Sequence, residues 1–346
     1  MGCHQITEYS KAAVYAACLE ILSFYKRQAA WRYFYKWEGI EMKKENKVKR
    51  KKDSRLLLMC FPAILCLFVF NYVPMGGLVL AFKDFRYDKG IFGSAWVGFE
   101  NFKFFLQSDN AWRITRNTIG FNLLFLFLGT VIAVVFALML NEIISRGAKK
   151  FYQTTMFLPY FLSWVVVGYM LYAFLDQNNG IFNIILGKLG HDKVLWYIKP
   201  NLWVFLLPLI YIWKSVGYNS VIYYASLMSI DSSYFEAAAL DGANKLQMMW
   251  YISLPHLKPL IIMMTILGIG KIFNSDFGLF FQATKDSPAL YPVTDVLDTY
   301  VYRALRVTGD IGMSSAVGFY QSVVGFVLVL ATNAVVRKID ADNAMF

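Results

Sequence analysis

The fold is decided by a charged run that ends against an apolar one: KKENKVKRKKDSR (Lys43–Arg55) is followed at once by LLLMCFPAILCLFVFNYVPMGGLVLAF (Leu56–Phe82). A membrane-spanning helix needs about 20 mostly apolar residues, and the second stretch is long enough. Lys and Arg gather on the cytoplasmic side of spanning helices, where they also face anionic lipid. The stretch therefore predicts a basic cytoplasmic anchor at 42–55, followed by the first span.

The composition of the whole chain agrees with a membrane protein. Of its 346 residues, 58% are hydrophobic and 16% are charged, whereas soluble domains carry about a quarter charged residues. The low charge excludes disorder, and the 4 cysteines are too few for a disulfide-stapled scaffold. The formal net charge of +11 reports which loops face the cytoplasm, because the chain has no room for a folded basic domain that would bind nucleic acid.

We predict an all-α, multi-pass protein of the cell membrane with six transmembrane helices. The predicted spans are Leu56–Phe82, Thr118–Leu140, Phe151–Leu175, Leu202–Leu227, Leu260–Phe281 and Ile311–Val336. Both termini are then cytoplasmic, since the basic run precedes the first span and Arg337 and Lys338 follow the last. The outer loops hold aromatic residues typical of an interfacial belt, namely Trp96, Trp112, Trp196 and Tyr197. We assign 56–346 to the transmembrane domain.

Residues 1–41 differ from the rest of the chain. Ala12–Tyr25 is apolar but short, and Glu20 interrupts it, so a surface helix is favoured over a seventh span. Met42 stands directly before the basic run. We hypothesise that translation begins at Met42 or that residues 1–41 are dispensable.

The sequence contains no motif for catalysis, for a metal or for a nucleotide. Gly187-Lys188 is followed by Leu189 and has no glycine at the upstream distance that a P-loop needs. The three histidines are scattered, and no Cys or His pair has metal-ligand spacing. We therefore expect a protein that is not an enzyme, with no cofactor, metal or nucleotide site of its own. An intramembrane enzyme, the competing class, would need a catalytic pair within the spans.

The segment 229–259, between the fourth and fifth spans, carries the most information. Ser233 and Glu236 have capping-box spacing, which predicts a helix that starts near Ser233. Gly242 is placed to end this helix in a left-handed conformation. A second helix, Asn244–Tyr251, should follow until Pro255 disrupts it. On these residues alone, a docking surface for another protein and a simple amphipathic linker are equally open.

Three short motifs of this segment resemble a known loop: Glu236-Ala237-Ala238, Asp241-Gly242-Ala243 and Ile252-Ser253-Leu254-Pro255. Together they are similar to the EAA loop of binding-protein-dependent ABC importer permeases. Other stretches are similar to the polysaccharide-type branch of the sugar permeases, namely Asn71–Met75, Ala81–Phe85, Phe161–Val166, Ile212–Lys214 and Asp295–Arg303. The resemblance extends from Lys52 to Phe346 and does not cover 1–41.

The resemblance implies a type I ABC importer permease that forms half of a membrane pore. A second permease would supply the other half and form a heterodimer with this chain. An ABC ATPase dimer on the cytoplasmic side would bind ATP. An extracytoplasmic solute-binding protein would dock on the opposite side of the membrane. The ATPase would be contacted by Glu236, Ala237, Ala238, Asp241, Gly242, Ala243, Ile252, Leu254 and Pro255. The implied function is import of oligosaccharides or polysaccharide fragments across the cytoplasmic membrane, and a related importer for a non-sugar solute, such as a peptide or phosphonate, is the alternative.

Polar groups inside spans are costly and indicate a transport pathway, and aromatic faces stack on sugar rings. These criteria select Trp164, Trp213, Lys214, Tyr218, Asn219, Asn274, Asp276 and Phe280. Ordinary packing, a snorkelled lysine or an interhelical hydrogen bond is the open alternative for each. In the last outer loop, Asp295, Asp298, Tyr300 and Arg303 either line the outer mouth, meet the binding protein, or staple the loop.

Overall fold

The computed structural model describes residues 59–107 and 109–339. The predictions for residues 1–41 and for the basic anchor 42–55 lie outside the described residues. The chain forms two compact units that divide after Asn71. The described part of the first unit, Met59–Asn71, is helical and ends in a π-helical turn at Phe68–Tyr72. The second unit is Tyr72–Phe346, and the tertiary contacts described below lie within it.

The second unit is almost entirely helical. Its α-helices are α1 (Gly90–Gly93), α2 (Glu100–Leu106), α3 (Asp109–Glu142), α4 (Arg146–Phe157), α5 (Trp164–Leu175), α6 (Ile181–Lys188), α7 (Pro200–Leu227), α8 (Ser232–Leu240), α9 (Lys245–Met248), α10 (Leu254–Gly270), α11 (Tyr291–Thr294), α12 (Leu297–Arg303) and α13 (Ile311–Ile339). Short 3-10 helices occupy Val73–Phe82, Leu158–Phe161 and Pro288–Leu290, and π-helical turns occupy Met249–Ser253, Leu279–Ala283 and Ala304–Thr308. The two described strands, β1 (Lys83–Asp84) and β2 (Ala95–Trp96), form one antiparallel pair in which Lys83 faces Trp96.

The described residues contain five helices that are long and apolar enough to span a membrane, and a bent pair raises the number to six. The five are Met59–Phe82, Asn110–Glu142, Pro200–Leu227, Lys245–Gly270 and Ile311–Lys338, and the bent pair is Arg146–Phe161 with Trp164–Leu175. The predicted all-α membrane fold with about six spans is confirmed.

The predicted third span, Phe151–Leu175, is not one continuous helix but the bent pair. Its two halves meet at an angle of 96°. Pro159 lies in the 3-10 turn between them, and the Ser163 hydroxyl starts the new helix by accepting from the Val166 backbone N–H at 3.3 Å. A proline cannot donate to the preceding turn and a serine N-cap opens a fresh helix, so the chain breaks here.

The predicted fifth span, Leu260–Phe281, is wrong in its bounds. The continuous helix runs from Lys245 to Gly270, and residues 274–276 are not helical. Backbone groups freed within a membrane need other partners, and three side chains supply them here. Asn122 donates to the Ile272 carbonyl at 2.8 Å, Gln321 donates to the Phe273 carbonyl at 2.7 Å, and Asp298 accepts from the Ser275 N–H at 2.6 Å.

The long helix α3 is the centre of the second unit, because it contributes to three buried clusters. Phe121 and Phe125 pack with Trp203 of α7 in the first cluster. Ile114 belongs to the second, which includes the ends of α10, α12 and α13, and Ala137 belongs to the third, at the other end of α7. Helix α3 therefore holds α7, α10 and the last loop in one arrangement, and so positions the cavity described next.

Candidate functional site

One face of α7 supplies a row of polar and aromatic side chains. Tyr211, Lys214, Ser215 and Tyr218 follow the i, i+3, i+4, i+7 spacing that places residues on one side of a helix. They face the break between α4 and α5. A cavity of about 350 Å³ lies there, lined by Tyr160, Leu162, Ser163, Trp164, Tyr211, Lys214, Ser215 and Asp276. We call it the central cavity.

Lys214 closes one wall of the central cavity. Its ammonium donates to the Tyr160 carbonyl at 2.8 Å and to the Pro159 carbonyl at 3.3 Å, both in the 3-10 turn. It lies 5.2 Å from the ring centroid of Trp164 and 5.5 Å from that of Tyr160, within the range of a cation–π contact. The Pro159 carbonyl also accepts from the Leu162 N–H at 3.2 Å, so the lysine adds a second donor there and supplies a donor to the Tyr160 carbonyl at the break in the helix. Tyr160 also stacks on Tyr218, with centroids 4.5 Å apart.

Trp164 and Asp276 line the central cavity beside Lys214. The indole Nε1 donates to Oδ2 of Asp276 at 2.8 Å, and Oδ1 of the same carboxylate accepts from the Leu279 N–H at 3.2 Å. The aspartate therefore orients the tryptophan and starts the short helix that follows it. Gly278 makes this contact possible, because a Cβ at that position would stand 2.1 Å from Cδ1 of Trp164.

The structure brings four of the eight predicted pathway residues together. Trp164, Lys214 and Asp276 line the central cavity, and Tyr218 stacks on its rim. The other four lie elsewhere. Trp213 is 45% exposed, Asn219 is half-buried and Asn274 is exposed, and none lines this cavity. Phe280 is buried in the core, 5.3 Å from the ring of Phe121.

Sequence reasoning missed three lining residues whose signal was present. Tyr211 and Ser215 share the helical stripe of Lys214, and that periodicity also sets Trp213 apart. Tyr160 lies directly after Pro159, the residue that indicates the break in the span.

The 229–259 loop begins with an isolated, exposed helix, α8. Its N-cap is Asp231, whose carboxylate accepts from the Ser233 N–H at 3.0 Å. The helix begins at Ser232, which confirms the predicted start near Ser233. The hydrogen bond from the Ser233 N–H, together with one from the Ser233 hydroxyl, lowers the pKa of Asp231. Gly242 adopts φ +81°, which confirms the predicted left-handed end of the helix. No residue of α8 is buried, and Leu240 is 90% exposed.

The second half of the loop joins the fifth span directly. Asn244 caps α9 and forms a reciprocal capping box with Gln247, with bonds of 2.9 and 2.8 Å. Pro255 does not end this helix as predicted, because the π-helical turn Met249–Ser253 precedes it. A π turn shifts the hydrogen-bond register, so the missing proline N–H is accommodated and the helix continues.

Two contacts between the loop and its surroundings hold its base. Lys245 lies 3.4 Å from Glu142, at the end of α3. Ser229 and His256, on the two sides of the loop, are 3.2 Å apart. Of the residues predicted to contact the ATPase, the exposed ones are Glu236, Ala237, Asp241, Gly242 and Pro255. The half-buried ones are Ala238, Ala243, Ile252 and Leu254. The loop is therefore held by the Lys245–Glu142 and Ser229–His256 contacts, and the surface of α8 is exposed.

The four predicted outer-loop residues make internal contacts. Asp295 is 3% exposed and pairs with Arg303 and, at 3.5 Å, with Arg113 of α3. Burial raises the pKa of Asp295. Arg303 also binds Asp286 at 2.8 Å. Asp298 caps the backbone at Ser275 as described above, and the hydroxyl of Tyr300 lies 3.7 Å from the sulfur of Met313.

Residues 129–341 match the family described as binding-protein-dependent transport system inner membrane component. The chain belongs to this family. The match spans the broken third span, α7, the 229–259 loop and the last helix. This permease is therefore a multi-pass membrane protein and a subunit of an ABC transporter, and such permease subunits are not themselves enzymes.

Among three similar proteins, two act in polysaccharide transport. The permease is 33% identical over 306 residues to the polygalacturonan/rhamnogalacturonan transport system permease protein YteP of Bacillus subtilis, covering 88% of this chain and 94% of the relative. It is 32% identical to protein LplB of the same organism, covering 85% and 92%. A chain of a bacterial ABC transporter involved in the import of the acidic polysaccharide alginate superposes with a TM-score of 0.76 at 33% identity, covering 84% of this chain and 97% of that one.

Proposed function

We propose that this permease moves oligosaccharides or polysaccharide fragments inward through a pore that it shares with a second, similar permease. The observation that carries the proposal is the central cavity. Its aromatic rings Tyr160 and Trp164 suit the apolar faces of sugars, and Lys214 and Asp276 suit their hydroxyl groups. The similarity to the polygalacturonan permease and to the alginate importer supports a carbohydrate over the non-sugar alternative.

The 229–259 loop is the proposed contact with the ATPase. Helix α8 exposes small residues and the apolar side chain of Leu240, and it lies in the loop between two spans, so this apolar surface is available to a partner protein. The Lys245–Glu142 and Ser229–His256 contacts would pass movement of α8 to α3 and α10. In this proposal, ATP is bound by the partner ATPase subunits.

The loop and both termini are proposed to be cytoplasmic, and the opposite end of the spans is proposed to meet a solute-binding protein. A related alginate transporter has been solved in complex with an alginate pentasaccharide-bound periplasmic protein. Fusion of a fluorescent protein or of alkaline phosphatase to the C-terminus tests the orientation. Fluorescence without phosphatase activity is expected, and the reverse would contradict it.

The transport proposal is tested with the complete importer in proteoliposomes, using ATP inside and the loaded binding protein outside. We expect ATP-dependent uptake of at least one labelled galacturonan, alginate or neutral oligosaccharide and none of sn-glycerol 3-phosphate. Trp164→Leu should abolish uptake, and Trp213→Leu is the matched control, since Trp213 lies outside the cavity. Uptake of the phosphate ester alone, or equal loss in both variants, would contradict the proposal.

A further inference from the structure

A second cavity, of about 300 Å³, lies where α5 ends and meets the loops that precede α7 and α11. It is lined by Tyr172, Leu175, Asp176, Gln177, Leu195, Trp196, Tyr197, Ile198, Lys285 and Ser287. None of the predicted site residues lines it, and Trp196 and Tyr197 were assigned to an interfacial belt. In the proposed topology, this cavity opens on the outer side of the membrane.

Buried hydrogen bonds hold the frame of the second cavity in place. Asn183 is 1% exposed, donates to the carbonyls of Asp176 at 3.1 Å and Val194 at 3.0 Å, and accepts from the Val194 N–H at 2.9 Å. The buried indole of Trp203 donates to the Trp196 carbonyl at 2.8 Å. The walls are therefore set before any ligand arrives, which reduces the entropy that binding must cost.

The aromatic walls contain polar atoms without partners. Tyr172 and Tyr197 have ring centroids 5.9 Å apart. The indole Nε1 of Trp196 and the hydroxyl of Tyr197 are buried and have no hydrogen-bond partner in the described part of the chain. Burial raises the pKa of Tyr197, so its hydroxyl keeps its proton at neutral pH. An unsatisfied buried donor is costly, and both donors belong to residues that line the cavity.

The rim carries one uncompensated positive charge. The ammonium of Lys285 lies 4.3 Å from the ring centroid of Tyr169 and 4.6 Å from that of Tyr172. Among the described residues, no carboxylate oxygen lies within 4 Å of the Lys285 ammonium. Lys285 has φ +58°, a conformation that costs free energy in a residue with a side chain and that clusters at functional sites.

Asp176 lines the same cavity, and Asp286 is next to Lys285 in the chain, but both carboxylates have other partners. Asp176 accepts from the N–H groups of Asn179 at 2.9 Å and Asn178 at 3.0 Å; the bond from Asn179 and one from the Tyr172 hydroxyl lower the pKa of its carboxyl group. Asp286 is paired with Arg303 at 2.8 Å. Lys285 is therefore left to pair with an anion that comes from outside the chain.

We propose that the second cavity is a binding subsite for one acidic sugar unit of the transported glycan. The sugar ring would lie against Tyr172 and Trp196, and its carboxylate would pair with Lys285. A free carboxylate on a partner protein would need the lysine but not the aromatic walls, so the glycan is favoured. This proposal rests on the proposed transport function and adds that the chain itself selects for negative charge.

The test uses the full-length permease in lipid nanodiscs, labelled with 5-fluorotryptophan and titrated with trigalacturonate while ¹⁹F resonances are recorded. The Trp196 signal is assigned with Trp196→Phe. Its shift should saturate with trigalacturonate, and fully methyl-esterified trigalacturonate should bind more weakly. Lys285→Gln should raise the midpoint for the acid about tenfold, as loss of a charge-assisted hydrogen bond implies, and leave the ester unchanged. Lys188→Gln, an exposed lysine outside the cavity, is the matched control.

Other outcomes would overturn the subsite. One is that the Trp196 resonance does not shift. Another is that Lys285→Gln and Lys188→Gln change the midpoint for trigalacturonate equally. A third is that Lys285→Gln weakens docking of the unloaded binding protein but leaves binding of trigalacturonate unchanged. The last result would assign Lys285 to a protein contact. The proteoliposome assay keeps the two proposals apart. If the importer takes up oligosaccharides while Trp196 does not respond, only the subsite fails, and if it takes up none, the transport function fails.

Discussion

The indole of Trp164 occupies the space that a side chain at Gly278 would need, since a Cβ there would come within 2.1 Å of Cδ1 of the indole. This contact joins the start of α5 to the segment after the fifth span. It also holds the indole N–H against Asp276. Because Gly278 has no side chain, the indole of Trp164 can take this position and line the central cavity.

Gly278→Ala should displace Trp164 and break its hydrogen bond to Asp276. Overpacking of this kind costs about 1–3 kcal/mol, so we expect ATP-dependent uptake to fall about tenfold or more, with normal insertion. Gly318→Ala is the control, because a Cβ on Gly318 meets nothing within 4 Å. Uptake that is equal in the two variants would show that the Trp164 position does not matter.

Lys214→Met should remove the donor that binds the carbonyls of Pro159 and Tyr160. Because a hydrogen bond from a charged donor contributes about 1.5–3 kcal/mol and these two are partly buried, we expect a lower melting temperature of the purified permease and reduced uptake. Lys271→Met changes an exposed lysine near the end of α10 and should leave both unchanged. A loss in Lys271→Met as large as that in Lys214→Met would contradict the assignment.

Gly242→Pro or Glu236→Lys should abolish ATP-driven uptake while leaving membrane insertion intact. Gly242 has φ +81°, which proline cannot adopt, and Glu236 is exposed on the surface proposed to contact the ATPase. Gly187→Ala, at an exposed glycine with ordinary φ and open space around it, is the control. Sugar-stimulated ATP hydrolysis and uptake are measured together, and normal uptake by both variants would count against the coupling role.

Arg303→Gln should destabilise the last outer loop far more than Arg113→Gln. Both arginines contact Asp295, but the side chain of Arg303 is 16% exposed and that of Arg113 is 33% exposed. Breaking a buried pair costs about 3–5 kcal/mol, and the cost falls toward about 0–1 kcal/mol as a pair becomes solvent-exposed, so the more exposed Arg113, at 3.5 Å from Asp295, should matter less. Thermal unfolding in detergent compares the melting temperatures of the two variants. A larger decrease for Arg113→Gln than for Arg303→Gln would contradict this interpretation.

Local signals predicted local structure well. Gly242 ends α8 because only glycine adopts a left-handed conformation without steric cost. The helix starts near Ser233 as predicted, with Asp231 as its N-cap, because both residues are good caps, and Pro255 was accommodated by a π turn that has no clear sequence pattern. Phe280 looked like a sugar-stacking residue and proved to be core, since composition cannot tell which apolar face a neighbouring helix covers.

The sequence by itself determined that this is a multi-span membrane protein with an exposed loop of the importer family. The length of an apolar run, the place of a charge and the spacing of a motif are properties of neighbouring residues, and they act without the rest of the fold. Only the tertiary structure decided which residues form the central cavity. Lys214 reaches a carbonyl 54 residues away and Trp164 reaches a carboxylate 112 residues away. Such contacts depend on how closely helices pack, as at Gly217, where a Cβ would stand 1.8 Å from the Met156 carbonyl oxygen.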